Sequence, residues 1–303
     1  MYFTSEAQNL ITNPSFEDID SCYGQPADIG FDVFEWSGCV GWSCPTIGSS
    51  DLWCPHPDAG VEPPWILGFG YQNPLTGKSL AGAFTFALHA QNYREYIQNR
   101  LVSPLEANQY YQFSGYLSTN EDSINYSSCF QAYFSDSPTS SSDYLVLPLI
   151  PQWKNEVNNF IKDTVGWQFV SGVFKANGGE KYVTIGCFDD SINVHMLNKD
   201  PFTTSDIYYF IDDLSLVKAP INVFFPNVYT PNNDGVNEEY APVIMGIEDY
   251  EVFIYNRWGN LMTKLTTSNP KWNGIQANEG TYFYVLKSEL VAINEQGFFQ
   301  LVR

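Results

Sequence analysis

Few side chains in this sequence are suited to acid–base or nucleophilic chemistry, and none stands in a recognisable catalytic motif. The histidines are His56, His89 and His195. No H-E-x-x-H motif, G-x-S-x-G turn or G-x-x-x-x-G-K phosphate loop occurs. Pairs of adjacent acids are Glu121/Asp122 and Asp189/Asp190. A glycosidase needs two carboxyl groups at a set separation, but adjacent acids usually lie in solvated turns. The sequence therefore favours a protein that is not an enzyme, with a glycoside-active enzyme as a distant alternative.

Aromatic side chains between residues 22 and 78 are the best candidates for holding a ligand. This segment is dense in Gly, Pro and Cys and contains half of the eight tryptophans. Trp and Tyr combine a large rigid face with a hydrogen-bonding group, and sugar rings stack on such faces. The candidates for a ligand surface are Trp42, Trp53, Trp65 and Tyr71. The alternative is a disulfide-stapled segment that buries these rings as a core of its own.

The six cysteines, an even number, include no C-x-x-C pair, which argues against zinc ribbons and thioredoxin-like motifs. We interpret them as disulfides of an oxidising compartment, with buried thiols as the alternative. Six cysteines allow about 15 pairings. We favour Cys39 with Cys44 and Cys22 with Cys54, while the full connectivity stays open.

Composition limits the class of protein. Aromatic residues make up 17% of the 303-residue chain and charged residues 16%, against a usual charged share of about 25%. This balance is typical of β-sheets. The net charge of −20 argues against nucleic-acid binding and against anionic membrane surfaces. The sequence contains no run of about 18 apolar residues, the length that a membrane-spanning helix needs.

The sequence predicts short strands separated by turn-forming residues. Strands are predicted at 80–87, 96–101, 110–118, 129–135, 167–175, 182–188 and 208–217. Only Trp153 to Ile161 has apolar residues at helical spacing. Strands at such regular spacing indicate a sandwich or jelly roll, so the sequence predicts an all-β protein.

Several motifs in the last 80 or so residues occur in a fixed order. They are Phe225-Pro-Asn-Val-Tyr-Thr-Pro-Asn-Asn-Asp-Gly-Val-Asn237, Tyr255-Asn-Arg-Trp-Gly259, Trp272-Asn-Gly274 and Gly280-Thr-Tyr-Phe-Tyr-Val285. This segment, 221–303, resembles the gliding-motility-associated C-terminal domain of Bacteroidota, the type B sorting domain of type IX secretion. The stretch from Trp272 to Gly280 is shorter than the family's usual loop.

The resemblance implies a small immunoglobulin-like β-sandwich that directs export. It also implies two partners, the outer-membrane translocon of type IX secretion and a small β-barrel partner protein of that system. Arg257 and Trp258 lie at a predicted turn and are the candidates for sorting recognition. The alternative is a strand-end arginine beside a tryptophan that packs.

Motifs at both ends of the segment 8–218 resemble galactose-binding-like jelly rolls, with carbohydrate-binding modules as the nearest comparison. They are Asn13-Pro-Ser-Phe-Glu17 and Tyr209-Phe-Ile-Asp-Asp-Leu-Ser-Leu216. We therefore expect a jelly-roll passenger domain at 8–218, a linker at 219–220 and a sorting domain at 221–303. Residues 1–7 are interpreted as a signal-peptide remnant or a disordered tail, with the mature chain starting at Gln8.

The jelly-roll resemblance implies a structural calcium ion that ties the first strand to the last. Glu17 and Asp212 match the family's acidic ligands. Calcium prefers about six to eight oxygen ligands. If Leu214 and Leu216 face the core, period two also puts Asp212 inward, where a carboxylate needs a partner. The alternatives are a hydrogen-bonded buried aspartate or a pair with Arg or Lys. A second oxygen-rich segment contains Asn232, Asp234 and Asn237, where we favour a plain turn.

These features together predict a secreted or outer-surface protein of a Gram-negative Bacteroidota. The first functional hypothesis is a non-catalytic adhesive or glycan-binding passenger. The second is a structural or interaction protein of the cell envelope without a small ligand.

Overall fold

The computed structural model describes residues 8–20, 27–28, 39–54, 70–87, 92–121, 125–198, 206–247, 249–288 and 293–303. The chain divides into two compact units, Met1–Lys218 and Ala219–Arg303. Every regular element in the described residues is a β-strand, which confirms the predicted all-β fold. The described residues contain no helix long and apolar enough to cross a membrane.

The first unit is a jelly-roll-like sandwich of two antiparallel sheets. Its described strands are β1 (Ala27–Asp28), β2 (Trp42–Ser43), β3 (Asp51–Trp53), β4 (Leu80–Phe86), β5 (Ile97–Arg100), β6 (Tyr110–Thr119), β7 (Asn125–Ser127), β8 (Gln131–Ser135), β9 (Trp153–Lys154), β10 (Gln168–Lys175), β11 (Tyr182–Gly186), β12 (Met196–Asn198) and β13 (Ile207–Lys218). One sheet has the order β1-β3-β4-β13-β6-β10 and the other β2-β5-β11-β8-β9, while β7 and β12 pair separately.

Period-two alternation explains how the sandwich forms its core. In β6, Tyr111, Phe113 and Leu117 are buried, whereas the intervening Ser114 is half-buried. Phe113 of the six-stranded sheet meets Phe134 of the five-stranded sheet edge to face, with ring centroids 6.2 Å apart. The apolar faces of both sheets thus close over one shared core.

The seven predicted strands correspond to β4, β5, β6, β8, β10, β11 and β13, with ends that differ by one or two residues. The helix suggested for Trp153 to Ile161 is wrong. Trp153 pairs with Ala132 as part of β9, and Val157, assigned to the apolar face, is 61% exposed. Long-range pairing with β8 outweighs the local helical spacing here.

A register shift in β13 corrects the predicted orientation of Asp212. The shift lies between Asp212 and Ser215, and Asp213 takes a left-handed φ of 46°. Ile211 and Leu214 therefore both face the core, although they are three residues apart. Asp212 pairs with a half-buried residue of β6 and lies on the opposite side of the sheet from the core.

The second unit contains β14 (Asn222–Phe224), β15 (Val228–Tyr229), β16 (Val243–Met245), β17 (Tyr250–Asn256), β18 (Leu261–Thr266), β19 (Gly280–Ser288) and β20 (Ile293–Leu301). Its large sheet has the order β15-β20-β19-β17-β18, and β14 pairs with β16. An aromatic core lies at its centre, where Tyr240 stacks on Phe299 with centroids 3.7 Å apart. This is the small immunoglobulin-like sandwich that the sequence predicted.

A disulfide joins Cys129 to Cys187. These residues are 58 positions apart in sequence, and pairing of β8 with β11 brings them together. Sequence spacing carries no signal for such a bridge, because only the sheet makes the two cysteines neighbours.

The predicted bridge between Cys39 and Cys44 is wrong, since both residues keep a thiol. Burial raises the pKa of the Cys39 thiol far above its usual range, so the sulfur stays protonated and unreactive. Cys54 is disulfide-bonded. Cys22, its predicted partner, lies outside the described residues.

Candidate functional site

Asp212 is a fully buried carboxylate that accepts three amide hydrogen bonds. Its Oδ2 accepts from the amides of Leu75 and Thr76 at 2.8 and 3.3 Å, and its Oδ1 from that of Asp213 at 2.7 Å. Desolvation nevertheless raises the pKa of Asp212 to about 7, so burial outweighs the amides that favour the charged form.

Glu17 holds the other end of the same turn. Its Oε1 accepts the amide hydrogens of Lys78 and Ser79 at 2.8 and 2.7 Å. Gly77 lies directly against the Glu17 carboxylate with a φ of +65°, and a Cβ there would collide with it. The fold thus brings Glu17 and Asp212 to opposite ends of one short turn, 75–79, although they are far apart in sequence.

The two acids therefore suit a structural cation only with help from other oxygens. Among the described residues, no group of three or more His, Cys, Asp or Glu side chains is arranged to hold a metal. A calcium ion at Glu17 and Asp212 would draw its remaining ligands from backbone carbonyls and water.

Two of the four aromatic candidates for a ligand surface are buried. Trp42 is 2% exposed, donates its indole hydrogen to the Asn13 carbonyl at 2.9 Å, and packs on Phe16. Trp53 is 5% exposed and donates to the Tyr208 hydroxyl at 3.0 Å. Both rings are packing residues in this structure.

The other two candidates differ from these. Tyr71 is 37% exposed, and its hydroxyl donates to Asn73 Oδ1 at 2.7 Å. Trp65 lies outside the described residues, as does the predicted leader remnant 1–7. Tyr71 is thus the single surface ring among the three described candidates.

A row of aromatic rings that the sequence did not single out runs from the interior to the surface. Tyr208 meets Phe84 at 5.0 Å, Phe84 meets Tyr93 at 6.4 Å, and Tyr93 meets Tyr144 at 5.3 Å between centroids. Tyr208 is buried, whereas Tyr144 is 42% exposed. These rings come from three distant parts of the chain, so no sequence pattern indicates the row.

Two buried carboxylates fix the hydroxyl and amide groups of this row. Glu95 accepts from the Tyr93 hydroxyl at 2.6 Å and from the Phe84 amide at 2.8 Å. Asp51 accepts from the Tyr208 hydroxyl at 2.6 Å. The outer end of the row therefore presents the half-buried Tyr93 ring, held by its hydrogen bond to Glu95, and the exposed Tyr144 ring.

The candidates for sorting recognition lie at the tip of the β17–β18 hairpin. The Arg257 guanidinium carbon lies 4.3 Å from the centroid of the Trp258 ring, and Trp258 is 70% exposed. Both side chains are exposed, and the guanidinium packs on one face of the indole ring.

The oxygen-rich segment of the second unit forms a self-satisfied turn. Asn232 Oδ1 accepts from the Asp234 amide at 3.0 Å, and Asp234 Oδ1 from the Val236 amide at 2.7 Å. Asn237 has a left-handed φ of 55°. These bonds support the plain turn that we favoured.

The described acid–base candidates are engaged in loop contacts. His195 Nδ1 lies 2.8 Å from the Val157 carbonyl, Asp189 forms an ion pair with Lys154, and Glu121 accepts the Tyr71 amide at 2.7 Å. Asp190 Oδ1 accepts the amide hydrogens of Ile192 and Asn193, both at 3.0 Å. His56, His89 and Asp122 lie outside the described residues.

The architecture and the terminal motifs define the class, a two-unit β protein whose second unit is a sorting domain. Residues 223–301 match the family described as CHU_C Type IX secretion signal domain. The second unit is therefore a type IX secretion signal domain, which confirms the resemblance seen in the sequence. The protein is exported by a Bacteroidota to its surface or surroundings.

The chain is similar to parts of several solved structures. PorZ, an essential surface component of the type IX secretion system of Porphyromonas gingivalis, is 18% identical with a TM-score of 0.22, and the match covers 30% of this chain and 14% of that one. The CBM22-1 xylan-binding domain of Paenibacillus barcinonensis Xyn10C is 14% identical with a TM-score of 0.36, over 72% and 100%. The K1 cleaved adhesin domain of Lys-gingipain from P. gingivalis W83 is 12% identical with a TM-score of 0.32, over 68% and 96%.

Likenesses at these TM-scores carry no functional argument. No curated protein matches the sequence significantly.

Proposed function

We propose that the first unit of this exported protein is a non-catalytic adhesive module that binds glycans. The observation that carries the proposal is the tyrosine pair at the outer end of the aromatic row. Tyr93 and Tyr144 lie 5.3 Å apart with their planes tilted by 39°, and the Glu95 carboxylate holds the Tyr93 hydroxyl at 2.6 Å.

This arrangement suits a sugar ring for two reasons. An exposed aromatic face offers apolar contact to the C–H groups of a sugar, while nearby polar groups accept its hydroxyl hydrogens. Leu145 follows Tyr144 in sequence and is 42% exposed, and Ile47, whose amide donates to the Asp143 carbonyl at 3.2 Å, is 52% exposed. These residues add apolar surface, which suits adhesion to a larger partner.

A glycan array probed with the full chain tests the proposal. We expect hits whose signal falls at least tenfold in Tyr93→Ala and in Tyr144→Ala. Phe169→Ala is the matched control, because Phe169 is 50% exposed and forms a similar tilted pair with Tyr116 at 5.0 Å.

The second candidate is an interaction protein of the cell envelope without a small ligand. The burial of Trp42 and Trp53 favours it, because the tryptophan-rich segment then serves packing. A blank array from folded full-length protein, together with unchanged behaviour of Tyr144→Ala, would contradict glycan binding and support this candidate.

For export, we propose that the outer-membrane translocon and a small β-barrel partner protein recognise the folded second unit. The match of residues 223–301 to the secretion signal family supports this. A chain truncated after Lys218 should stay in the periplasm, whereas the full chain reaches the surface or medium. Equal amounts of both outside the cell would contradict the proposal.

We further propose a structural calcium ion at Glu17 and Asp212. Two acids at the ends of one turn, one of them buried, support it, while their amide hydrogen bonds support the metal-free alternative. A ligand that binds only the folded state stabilises it by roughly 2.7 kcal/mol at 100 times its Kd. EDTA should therefore lower the melting temperature of the first unit, and Glu17→Ala or Asp212→Ala should abolish that effect.

A further inference from the structure

Arg257 differs from two lysines of the second unit that are held in ion pairs. Lys264 pairs with Glu251 at 2.7 Å and Lys271 with Glu239 at 3.3 Å. Among the described residues, Arg257 takes part in no ion pair, and the contact found for its guanidinium is the face of Trp258. Its hydrogen-bond donors are therefore available to a partner.

The hairpin tip that carries Arg257 is held firmly. Asn256 Oδ1 accepts from the amides of Trp258 and Asn260, both at 3.0 Å, and the Asn256 carbonyl accepts from the Gly259 amide at 2.9 Å. Gly259 supplies the required left-handed φ of 79°. The exposed cation and the exposed indole are thus fixed before any partner arrives, which lowers the entropic cost of binding.

A small cleft adjoins this tip. It has a volume of about 100 Å³, and its lining includes Arg257, Trp258, Met262, Thr281, Tyr282 and one acid, Glu279. Glu279 Oε1 accepts the Arg303 amide hydrogen at 2.8 Å, so this carboxylate is held at the far wall, and the side chain that enters the cleft is an uncharged one. Pockets for small-molecule ligands usually measure about 300–1,000 Å³. The cleft is therefore of a size for one side chain of a macromolecular partner, and too small for a cofactor.

The far wall of the cleft is also braced. Arg303 donates from its guanidinium to the carbonyls of Ala277 and Gly274 at 2.8 and 2.9 Å. Tyr282 donates its hydroxyl hydrogen to the Asn278 carbonyl at 2.7 Å. Because both walls are fixed, the cleft is a preformed site and not a gap between mobile loops.

We propose that this cleft and the Arg257–Trp258 tip bind an acidic segment of a protein partner. A carboxylate of the segment accepts hydrogen bonds from the Arg257 guanidinium. A neighbouring side chain of the segment enters the cleft, and the exposed face of Trp258 covers it. Arg and Trp are the residue types that most often dominate the energy of protein interfaces.

A protein segment fits better than a phosphate-bearing membrane. An anionic lipid surface is usually bound by a cluster of about 4–8 basic residues, and one arginine is a weak anchor for it. A cleft for one side chain beside one cation instead matches a short peptide. The inference rests on the proposed recognition of the second unit by the export machinery, and it adds the chemistry of that contact.

Binding of a defined probe to the full chain is the first test. The probe is a capped peptide of alternating glutamate and leucine, and its counterpart carries glutamine in place of glutamate. We expect the glutamate peptide to bind at least tenfold more tightly, Arg257→Glu to remove that difference, and Trp258→Ala to weaken binding at least tenfold. Lys287→Glu is the matched control, because Lys287 lies over the ring of Phe253 at 5.6 Å, outside the cleft lining.

Equal affinity for the two peptides, no binding of either, or a preference retained by Arg257→Glu would overturn the inference. Arg257-dependent binding to phosphatidylglycerol vesicles in place of the peptide would also overturn it. Melting curves of each full-length variant should match those of the unaltered protein, which separates loss of binding from unfolding.

An export assay distinguishes failure of the acidic-segment site from failure of the proposed sorting role. If the chain truncated after Lys218 is retained, Arg257→Glu should lower the exported fraction at least fivefold, and Lys287→Glu should leave it unchanged. Retention of the truncated chain with normal export of Arg257→Glu would leave the sorting role intact and refute the acidic-segment site. Normal export of the truncated chain would refute the sorting role itself.

Discussion

When divalent cations are removed, the stability of the first unit should depend on whether the Asp212 carboxyl is protonated. The carboxyl is fully buried, and burial raises its pKa to about 7 in the folded chain, against about 3.9 in an unfolded one. Between these values the folded state binds the proton and the unfolded state does not. The free energy of unfolding therefore falls as pH rises through this window.

The magnitude follows from the two pKa values. Between pH 5 and pH 8 the loss amounts to about 2–3 kcal/mol. For a unit of this size, that corresponds to a drop in melting temperature of about 5–10 °C. Calorimetry of the full chain in EDTA at pH 5, 6.5 and 8 measures it.

Two variants and added calcium test whether Asp212 causes this pH dependence. Asp212→Asn should remove the pH dependence, whereas Asp136→Asn, which alters an exposed acid of the same unit, should leave it. Calcium should flatten the slope, because a bound cation stabilises the carboxylate. A flat profile in EDTA, or the same slope in Asp212→Asn, would refute the reasoning. A slope that calcium leaves unchanged would refute only the calcium site.

Three further substitutions test the packing. Trp42→Ala should lower the free energy of unfolding by about 3–5 kcal/mol, measured by urea titration, because the ring lies in the core; a loss below 1 kcal/mol would contradict that role. Cys187→Ser should cost about 2–4 kcal/mol, seen as a lower melting temperature in the same buffer without reducing agent; an unchanged melting temperature would contradict that role. Arg94→Ala should destabilise the first unit in the same assay, because this fully buried side chain donates to the carbonyls of Tyr93 and Asp189. An unchanged free energy of unfolding would contradict this and show that the two hydrogen bonds only offset the desolvation of the guanidinium.

Local patterns in the sequence predicted a large part of the fold. Strands such as β6 and β10 were found because alternation of apolar and polar residues is a property of neighbours in sequence. The sorting domain was found for a related reason, since its motifs are contiguous stretches such as Tyr255 to Gly259. The suggested helix at Trp153 to Ile161 failed because its local spacing competes with strand pairing to β8.

The candidate sites were less accessible from the sequence. Family resemblance identifies Glu17 and Asp212 from the sequence. The side of the sheet that Asp212 occupies, however, depends on a β-bulge that no sequence pattern predicts. No sequence pattern indicates the pair of Tyr93 and Tyr144, because a bridge between distant segments brings Tyr93 beside Leu145.

By itself the sequence determined that this protein is all-β, that it has two units and that its last 80 or so residues direct export. Each of these follows from composition, period-two alternation or contiguous motifs, which need no contact between distant residues. The tertiary structure alone decided that Trp42 and Trp53 are buried, that Cys129 bonds to Cys187, and that a cleft lies beside Arg257. Burial, disulfide pairing and clefts are properties of residues far apart in the chain, so they exist only once the sheets have formed.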